Sequence, residues 1–250
     1  MPHRPKLVAF DLDGTLAVTK QRMSADMGEL LSQLLKKMSV AVMSGAGFPQ
    51  FERQFFPAFP ADADFTNLYL FPDNAAQCFV YRNGAWKPQY DNAFTSTEKE
   101  HILKALDEAL KETGLYEVPV RVWGERIEDR GAEIVFSGLG QEAPPEEKRC
   151  WDPDHVKKRA LRDALAKRLP EFSEGANGST SVDITRKGIT KAYGIRRLAE
   201  LSGIAIAEML YVGDALDEGG NDAVVKETGV QTRAVFGPEE TAGLINTFLA

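Results

Sequence analysis

The segment FDLDGT at residues 10–15 constrains this chain most, because it puts two carboxylates two residues apart directly after the apolar run 7–10. If that run is a buried strand, its period of two turns Asp11 and Asp13 toward the same side at the strand's carboxyl end. Two anions this close repel each other, so the pair requires a cation or a shared proton. The segment therefore predicts a divalent metal with oxygen ligands beside a carboxylate that is free to attack.

The competing interpretation of this segment is a tight turn in which Asp13 and Gly14 reverse a hairpin. Residues 7–10 do not alternate apolar and polar side chains, as a half-exposed hairpin strand would. Apolar pairs at residues 30–31 and 34–35 follow at helical spacing. We therefore expect a strand, a loop and a helix in that order.

Charge and composition limit the classes of partner. The 250 residues carry a net charge of -7 with 43% hydrophobic and 27% charged side chains, which is typical of a globular protein and argues against a nucleic-acid or membrane-surface binder. An anionic substrate remains compatible, because a local cluster of Lys, Arg and metal dominates at short range. Cys78 and Cys150 stand far apart, and the apolar run after residues 1–6 is too short for a signal peptide. We therefore expect a cytoplasmic protein that binds neither nucleic acid nor membrane.

The pattern along the chain indicates an α/β fold with an insertion. Short apolar runs alternate with helical stretches, as in a Rossmann-like parallel-sheet domain; they lie at residues 7–10, 40–43, 209–212 and 230–236. The middle predicts an α+β domain with a capping box at 97–100, strands at 118–123, 133–136 and 181–185, a loop at 141–148 and a helix at 152–169. We therefore expect a core at 1–91 and 186–250 and an inserted domain at 92–185.

A second predicted strand, 40–43, ends at Ser44 and Gly45, where an open α/β sheet binds its ligands. The hydroxyl and the backbone N–H groups there suit an oxyanion. A simpler interpretation of Ser44 is that it caps the following helix.

Two later segments bring further charge to the same edge of the predicted sheet. The run 210–212 leads into Gly213 and Asp214, and the acidic segment GGND at 219–222 follows. Lys191 lies in the first turn of a predicted helix, so its ammonium is suited to a site beside a phosphate. Lys187 is the alternative lysine, because both lysines lie close to Gly188, which precedes that helix.

Taken together, the DxDGT segment, the strand ending in Ser-Gly, the later Lys and the Gly-Asp and Asn-Asp elements resemble the haloacid dehalogenase-like (HAD) phosphotransferase superfamily, in residue type and in order. The insertion between the Ser and Lys motifs resembles the class with a large α/β cap, subfamily IIB. Within that class the segments GGND at 219–222, IEDRG at 127–131 and SVD at 181–183 are similar to those of eukaryotic-type phosphomannomutases. The resemblance implies a catalytic core with an inserted cap that sets substrate specificity.

The resemblance implies a role for each core residue that agrees with its chemistry. Asp11 would attack phosphorus and form an aspartyl-phosphate, and Asp13 would be the general acid and base. Ser44 and Lys191 would hold the equatorial phosphoryl oxygens, with Gly45 beside them in the substrate site.

Mg²⁺ is the cofactor that the resemblance implies. It would neutralise charge so that one anion can approach another. The implied ligands are Asp11, the main-chain carbonyl of Asp13, and Asp214, with Asp222 or Asn221 in or near the ligand shell.

The remaining implied residues bind the substrate away from the transferred phosphate. A sugar mutase must hold a second phosphate, for which bidentate Arg is suited. Arg130 matches the first cap Arg of the phosphomannomutase pattern, but Gln141 and Lys148 stand at the second and third, and Lys20 replaces a core Arg. The implied substrate-binding residues are thus Gly45, Arg130, Gln141, Lys148, Ser181, Asp183 and Lys20.

Loss of the Arg fork at these positions weakens binding of a second phosphate, since each charged hydrogen bond contributes about 1.5 to 3 kcal/mol. We therefore predict a Mg²⁺-dependent phosphatase that hydrolyses a phosphorylated sugar or sugar derivative. The alternative is a hexose phosphomutase resembling phosphomannomutase, for which the resemblance also implies a homodimer through the cap. A binding protein without catalysis is disfavoured, because every core catalytic position is filled.

Overall fold

The computed structural model describes residues 4–19, 21–175 and 179–250. The chain divides into two compact units, Met1–Asp91 with Ile189–Ala250, and Asn92–Gly188. Each unit has its own hydrophobic core. Within the described ranges, no helix is long and apolar enough to cross a bilayer.

The secondary structure alternates between strands and helices in the first unit and is mixed in the second. The strands are β1 (Leu7–Asp11), β2 (Ser39–Met43), β3 (Leu68–Phe71), β4 (Gln77–Arg82), β5 (Ala85–Asp91), β6 (Ile127–Asp129), β7 (Glu133–Ser137), β8 (Phe172–Gly175), β9 (Ser181–Arg186), β10 (Met209–Gly213) and β11 (Gln231–Ala234). The helices are α1 (Ala25–Leu35), α2 (Phe48–Gln54), α3 (Ser96–Glu112), α4 (Pro145–Trp151), α5 (Val156–Arg168), α6 (Lys191–Ser202) and α7 (Pro238–Leu249).

The first unit is built on a seven-stranded sheet in the order β11-β10-β1-β2-β3-β4-β5. The five strands from β11 to β3 are parallel, and β4 and β5 are added antiparallel. The register pairs Asp11 with Met43 and Phe10 with Val212, so β1, β2 and β10 end side by side. This arrangement confirms the predicted α/β fold with a parallel-sheet core.

Side chains of β1 alternate between two helical layers. Val8 and Phe10 pack in the cluster that contains residues of α1 and α7, whereas Leu7 and Ala9 pack in the cluster that contains residues of α6. Because both faces are covered, every residue of β1 is buried. The apolar run therefore does not alternate in sequence.

The second unit contains a four-stranded antiparallel sheet in the order β6-β7-β9-β8. Apolar side chains of α3 and α5 form one core with the strands, including Leu106, Leu165 and Phe136. The predicted α+β character of the insertion is therefore correct.

Three local predictions for the insertion are wrong. The stretch 118–123 forms no strand; Val118 and Val120 are exposed and Pro119 between them lacks the N–H that a sheet ladder needs. The capping box uses Thr95 and Glu98 in place of Thr97 and Glu100.

The predicted loop at 141–148 and the predicted start of the helix at 152–169 are also wrong. Residues 145–148 of that loop lie in α4, which ends at Trp151, and α5 begins at Val156, four residues after Asp152. The Asp152 carboxylate accepts hydrogen bonds from the backbone N–H groups of Lys157 and Lys158, both at 3.0 Å. An Asp that binds the free N–H groups of a first turn favours a helix start over helix continuation.

Candidate active site

A buried lysine joins the carboxylate of Asp11, at the carboxyl end of β1, to that of Asp222, which follows the loop after β10. Lys191 Nζ donates to Asp11 Oδ1 and, at 2.6 Å, to Asp222 Oδ1. Thr190 caps α6 by accepting from Tyr193 N, which places Lys191 as the first residue of the helix. Burial alone would lower the pKa of Lys191, but the two carboxylates outweigh it and raise the pKa, so the ammonium is retained.

Lys187, the alternative lysine, lies in the other unit. Its side chain is exposed, and its Nζ donates to the carbonyl of Pro170. Of the two lysines, Lys191 therefore contacts the Asp11 carboxylate.

The Asp222 carboxylate is held from several sides. Tyr211 donates its phenol O–H to Oδ1 at 2.5 Å, and the backbone N–H of Ala215 donates to Oδ2 at 3.2 Å. A Cβ atom on Gly213 would lie 2.3 Å from Oδ2, so only glycine leaves room for the carboxylate. Asp222 is fully buried, whereas Asn221 is exposed, which makes Asp222 the inward-facing member of the GGND segment.

Three carboxylates converge at this edge of the sheet. Oxygen atoms of Asp11, Asp214 and Asp222 lie within 4.8 Å of one another. Gly14, at φ +84°, brings the loop after β1 against Asp214, since a Cβ there would lie 2.2 Å from Asp214 Oδ2. Lys191 offsets one of the three negative charges, so two remain. An oxygen-lined site with two uncompensated negative charges fits a divalent cation such as Mg²⁺.

The raised pKa values of Asp214 and Asp11 also indicate that the three carboxylates have too little positive charge beside them. Burial, followed by the nearby Asp222 carboxylate, raises the pKa of Asp214. Burial raises the pKa of Asp11 to about 7, against the opposing effect of Lys191. A carboxylate that must be ionised to attack therefore requires a further cation beside it.

Asp13 lies two residues beyond Asp11, the buried end of β1, and is half-buried. Its Oδ1 accepts a hydrogen bond from Gln54 Nε2 at 3.0 Å, and Gln50 Nε2 donates to Gln54 Oε1 at 2.6 Å. Asp13 is not among the three converging carboxylates. A carboxyl group that is oriented but outside the metal-type cluster is suited to proton transfer.

Ser44 and Gly45 follow β2 next to the end of β1. Ser44 is buried, and its Oγ accepts from the backbone N–H of Ala46 at 3.0 Å. The N-cap of α2 is Gly47, without a side-chain capping bond, so the helix-cap interpretation of Ser44 is wrong. Since Met43 pairs with Asp11, Ser44 leaves its strand beside the strand that carries Asp11.

In the second unit, Arg130 lies in the turn between β6 and β7 and is engaged by carboxylates. Its Nε and Nη2 donate to Glu128 Oε2 at 2.9 and 2.7 Å, and its Nη1 donates to Glu133 Oε2 at 3.0 Å. The guanidinium is therefore partly neutralised within its own domain.

The other implied substrate residues form two further groups in the same unit. Lys148 Nζ donates to the carbonyl of Gln141 at 2.9 Å, and Gln141 Nε2 is buried without a hydrogen bond among the described residues. Ser181 and Asp183 share one face of β9, two residues apart, where they pair with Ser137 and Val135 of β7. Lys20 lies outside the described residues.

Gln54 and Tyr211 are site residues that sequence reasoning missed. Gln54 is 41 residues from Asp13 and belongs to no motif. Tyr211 reads as an ordinary core aromatic residue in a strand. In the sequence, Tyr211 differs from an ordinary core residue only in that it brings a hydroxyl group into an otherwise apolar run, and a buried hydroxyl needs a hydrogen-bond partner.

Comparisons with known proteins agree with this geometry. The family model of eukaryotic phosphomannomutase matches residues 27–250. The chain is 26% identical to a phosphomannomutase of Spinacia oleracea, covering 96% of this chain and 95% of that protein. It is 25% identical to phosphomannomutase 2 of Dictyostelium discoideum, covering 96% and 94%.

Solved structures show the same fold. The C-terminally truncated IMP-nucleotidase of Plasmodium falciparum superposes with a TM-score of 0.69 at 17% identity, covering 98% of this chain and 72% of that chain. Trehalose-6-phosphate phosphatase of Aspergillus fumigatus gives a TM-score of 0.62 at 16% identity, covering 98% and 93%. These likenesses confirm the predicted HAD-like fold. With nearly its whole length matched by one family model, the chain belongs to the eukaryotic phosphomannomutase family.

Proposed function

We propose that this protein is a Mg²⁺-dependent phosphatase that hydrolyses a phosphorylated sugar or sugar derivative through an aspartyl-phosphate. The family supports phosphoryl transfer on sugar phosphates. The observation that carries the core chemistry is the contact of the buried Lys191 with both Asp11 and Asp222, which converge with Asp214 in a group of three carboxylates. That group offers a nucleophile, a cation for the phosphoryl oxygens and a site for a divalent metal.

In this proposal Asp11 attacks phosphorus, the bond to the leaving oxygen breaks, and Asp13 protonates that oxygen. Asp13 then takes a proton from water, which attacks the aspartyl-phosphate and releases inorganic phosphate. Lys191 and Ser44 stabilise the charge on the equatorial oxygens. Mg²⁺, held by Asp11, Asp214 and Asp222, would supply the positive charge that keeps Asp11 ionised and lets the phosphate approach.

The choice of phosphatase over mutase rests on the second unit. Arg130 donates to Glu128 and Glu133, so much of its hydrogen-bonding capacity is engaged before any ligand binds. Gln141 is uncharged, and Lys148 offers a single ammonium that already donates to the carbonyl of Gln141. These three residues are poorly suited to hold the second phosphate of a sugar until another of its hydroxyls attacks the aspartyl-phosphate. They therefore favour release of the sugar and transfer of the phosphoryl group to water.

The second candidate is a hexose phosphomutase. Relatives named phosphomannomutase match along more than nine-tenths of both chains, which favours this candidate. In that case the aspartyl-phosphate would pass to a second sugar hydroxyl.

One assay separates the two candidates. The protein is incubated with Mg²⁺, mannose 1-phosphate and a hexose bisphosphate, and both free phosphate and mannose 6-phosphate are measured. We expect free phosphate from mannose 1-phosphate or from another member of a sugar-phosphate panel. Mannose 6-phosphate without free phosphate would replace the phosphatase proposal with the mutase.

A double substitution tests the proposed cause. Gln141→Arg with Lys148→Arg restores guanidinium groups and should raise the ratio of transfer to hydrolysis when a hexose bisphosphate is present. Lys104→Arg, on an exposed position of α3, is the matched control and should leave the ratio unchanged. An unchanged ratio in the double variant would show that Gln141 and Lys148 are not the reason for hydrolysis in place of transfer.

A homodimer through the second unit belongs to the same proposal. Sedimentation velocity of the full chain measures it directly. A monomer at all accessible concentrations would contradict the dimer without affecting the proposed chemistry.

A further inference from the structure

A strained turn follows β3 at the same edge of the sheet as the candidate active site. Asp73, Asn74 and Ala75 have φ angles of +50°, +52° and +69°, which place three consecutive non-glycine residues in the left-handed region. Such backbone persists only where the surroundings enforce it, and it is concentrated at functional sites. The motifs described above do not explain this turn.

The turn is fixed from the side of α6 and β5. Ala75 is fully buried, and its carbonyl accepts from the Tyr90 hydroxyl at 2.9 Å. A Cβ atom on Gly194 would lie 2.6 Å from Ala75 Cβ, so α6 packs directly on the turn, less than one helical turn after Lys191. The packing that holds Lys191 therefore also holds Asn74 in place.

The same turn is bonded to the loop after β2. Asn74 N donates to the carbonyl of Ser44 at 2.8 Å, and Asp73 N donates to the carbonyl of Ala46 at 3.1 Å. A Cβ atom on Gly45 would lie 3.4 Å from Asn74 Nδ2 and 3.5 Å from Oδ1. The carboxamide of Asn74 thus lies against Gly45, next to the residue that would hold a phosphoryl oxygen.

Asn74 differs from its neighbours in exposure. It is half-buried, whereas Asp73 and Ala75 are buried. Within the part of the chain that the structure describes, its carboxamide makes no hydrogen bond. A primary amide carries two N–H donors, and a donor beside Gly45 is suited to an anionic oxygen.

We propose that Asn74 is a further substrate-binding residue, whose Nδ2 donates to an oxygen of the phosphoryl group that Asp11 receives. This inference rests on the proposed function, because it places the phosphoryl group between Asp11 and the Ser44 loop. The left-handed backbone is what directs the side chain to that loop, and Asn tolerates this backbone better than most residues.

Asn74→Gly tests the inference, because glycine adopts positive φ without strain and lacks the side chain that carries the carboxamide. The probe is inorganic phosphate, titrated calorimetrically in the presence of Mg²⁺. We expect its dissociation constant to rise about tenfold or more, as for loss of one hydrogen bond to a charged group. Asn83→Gly is the matched control: Asn83 also has positive φ, at +54°, but lies in the exposed turn between β4 and β5. Its phosphate affinity should equal that of the wild type.

A second variant, Asn74→Asp, keeps the size and the tolerance of positive φ but adds a negative charge. It should weaken phosphate binding more than Asn74→Gly does, and it serves if the glycine variant fails to fold. Wild-type affinity in either folded variant would overturn the role of Asn74. That result is distinct from failure of the proposed function, in which the wild type itself neither releases phosphate from sugar phosphates nor transfers it.

Discussion

Lys191 Nζ donates a hydrogen bond to Asp222 Oδ1 at 2.6 Å, and both side chains are buried. The same ammonium binds Asp11, so Lys191→Met leaves two buried carboxylates without their cation. Breaking a buried ion pair from one side costs about 3 to 5 kcal/mol. We expect a loss of this order in the free energy of unfolding, measured by urea denaturation without Mg²⁺, together with loss of turnover. Lys187→Met, at an exposed lysine, should change neither; equal stability of the two variants would contradict the role of the Lys191 pair.

Tyr211→Phe removes the phenol that donates to Asp222 at 2.5 Å and leaves the ring. A hydrogen bond to a charged group contributes about 1.5 to 3 kcal/mol, so we expect the free energy of unfolding to fall within that range. The rate constant kcat should also fall, because Asp222 and Lys191 lose part of their orientation, while KM changes less. Tyr81→Phe, in the aromatic cluster around Trp86, is the control and should retain wild-type kcat. A wild-type kcat for Tyr211→Phe would show that the phenol does not position the site.

Gly213→Ala puts a Cβ atom where it would lie 2.3 Å from Asp222 Oδ2, so the carboxylate must move. A displacement of this size at a catalytic group costs about 100-fold in rate, and we expect kcat to fall by about that factor. Gly243→Ala is the opposite case, since Gly243 lies inside α7 with open space around it. That variant should gain about 1 kcal/mol in stability with unchanged activity. Turnover assays and thermal unfolding of both variants check the pair, and an active Gly213→Ala enzyme would contradict the packing argument.

The pH dependence of stability follows from the pKa of Asp11. In metal-free protein that pKa is raised to about 7, mainly by burial, so the folded state binds this proton more tightly than the unfolded state. The resulting stabilisation is complete below about pH 4 and is lost as the pH rises through about 7. With EDTA, we expect the free energy of unfolding to decrease from about pH 5 to about pH 8. Mg²⁺ should restore stability at the higher pH and have little effect at the lower one.

Asp11→Asn is the control for this pH profile. The amide does not titrate, so the variant should show a flatter decrease with EDTA and a smaller effect of Mg²⁺. A profile identical to that of the wild type would assign the pH dependence to other groups.

The parts of the site that lie directly after apolar runs could be predicted from sequence. Asp11 ends a buried strand and Ser44 and Asp214 each follow one, and the ends of neighbouring parallel strands meet at one edge. Lys191 was predicted from its place at a helix start, which the structure shows as the first residue of α6. Local sequence pattern is therefore sufficient for residues whose position follows directly from the end of a strand or the start of a helix.

Residues that reach the site through tertiary packing could not be predicted in this way. Gln54 binds Asp13 across 41 residues, and Asn74 lies beside Gly45 because of three left-handed residues that no sequence rule indicates. The stretch 118–123 has the composition of a strand, but Val118 and Val120 are exposed and the stretch joins neither of the described sheets. Composition indicates which secondary structures a segment can form, and the elements packed around it determine which of them it forms.

Asn92–Gly188 is a single uninterrupted length of chain with an apolar interior of its own. A recombination event with one breakpoint at each end of residues 92–188 would replace the whole second unit. Every member of the carboxylate and lysine group is encoded outside those breakpoints. Under the proposed function, such an exchange would replace the substrate-binding residues of the second unit and leave the reacting residues unchanged.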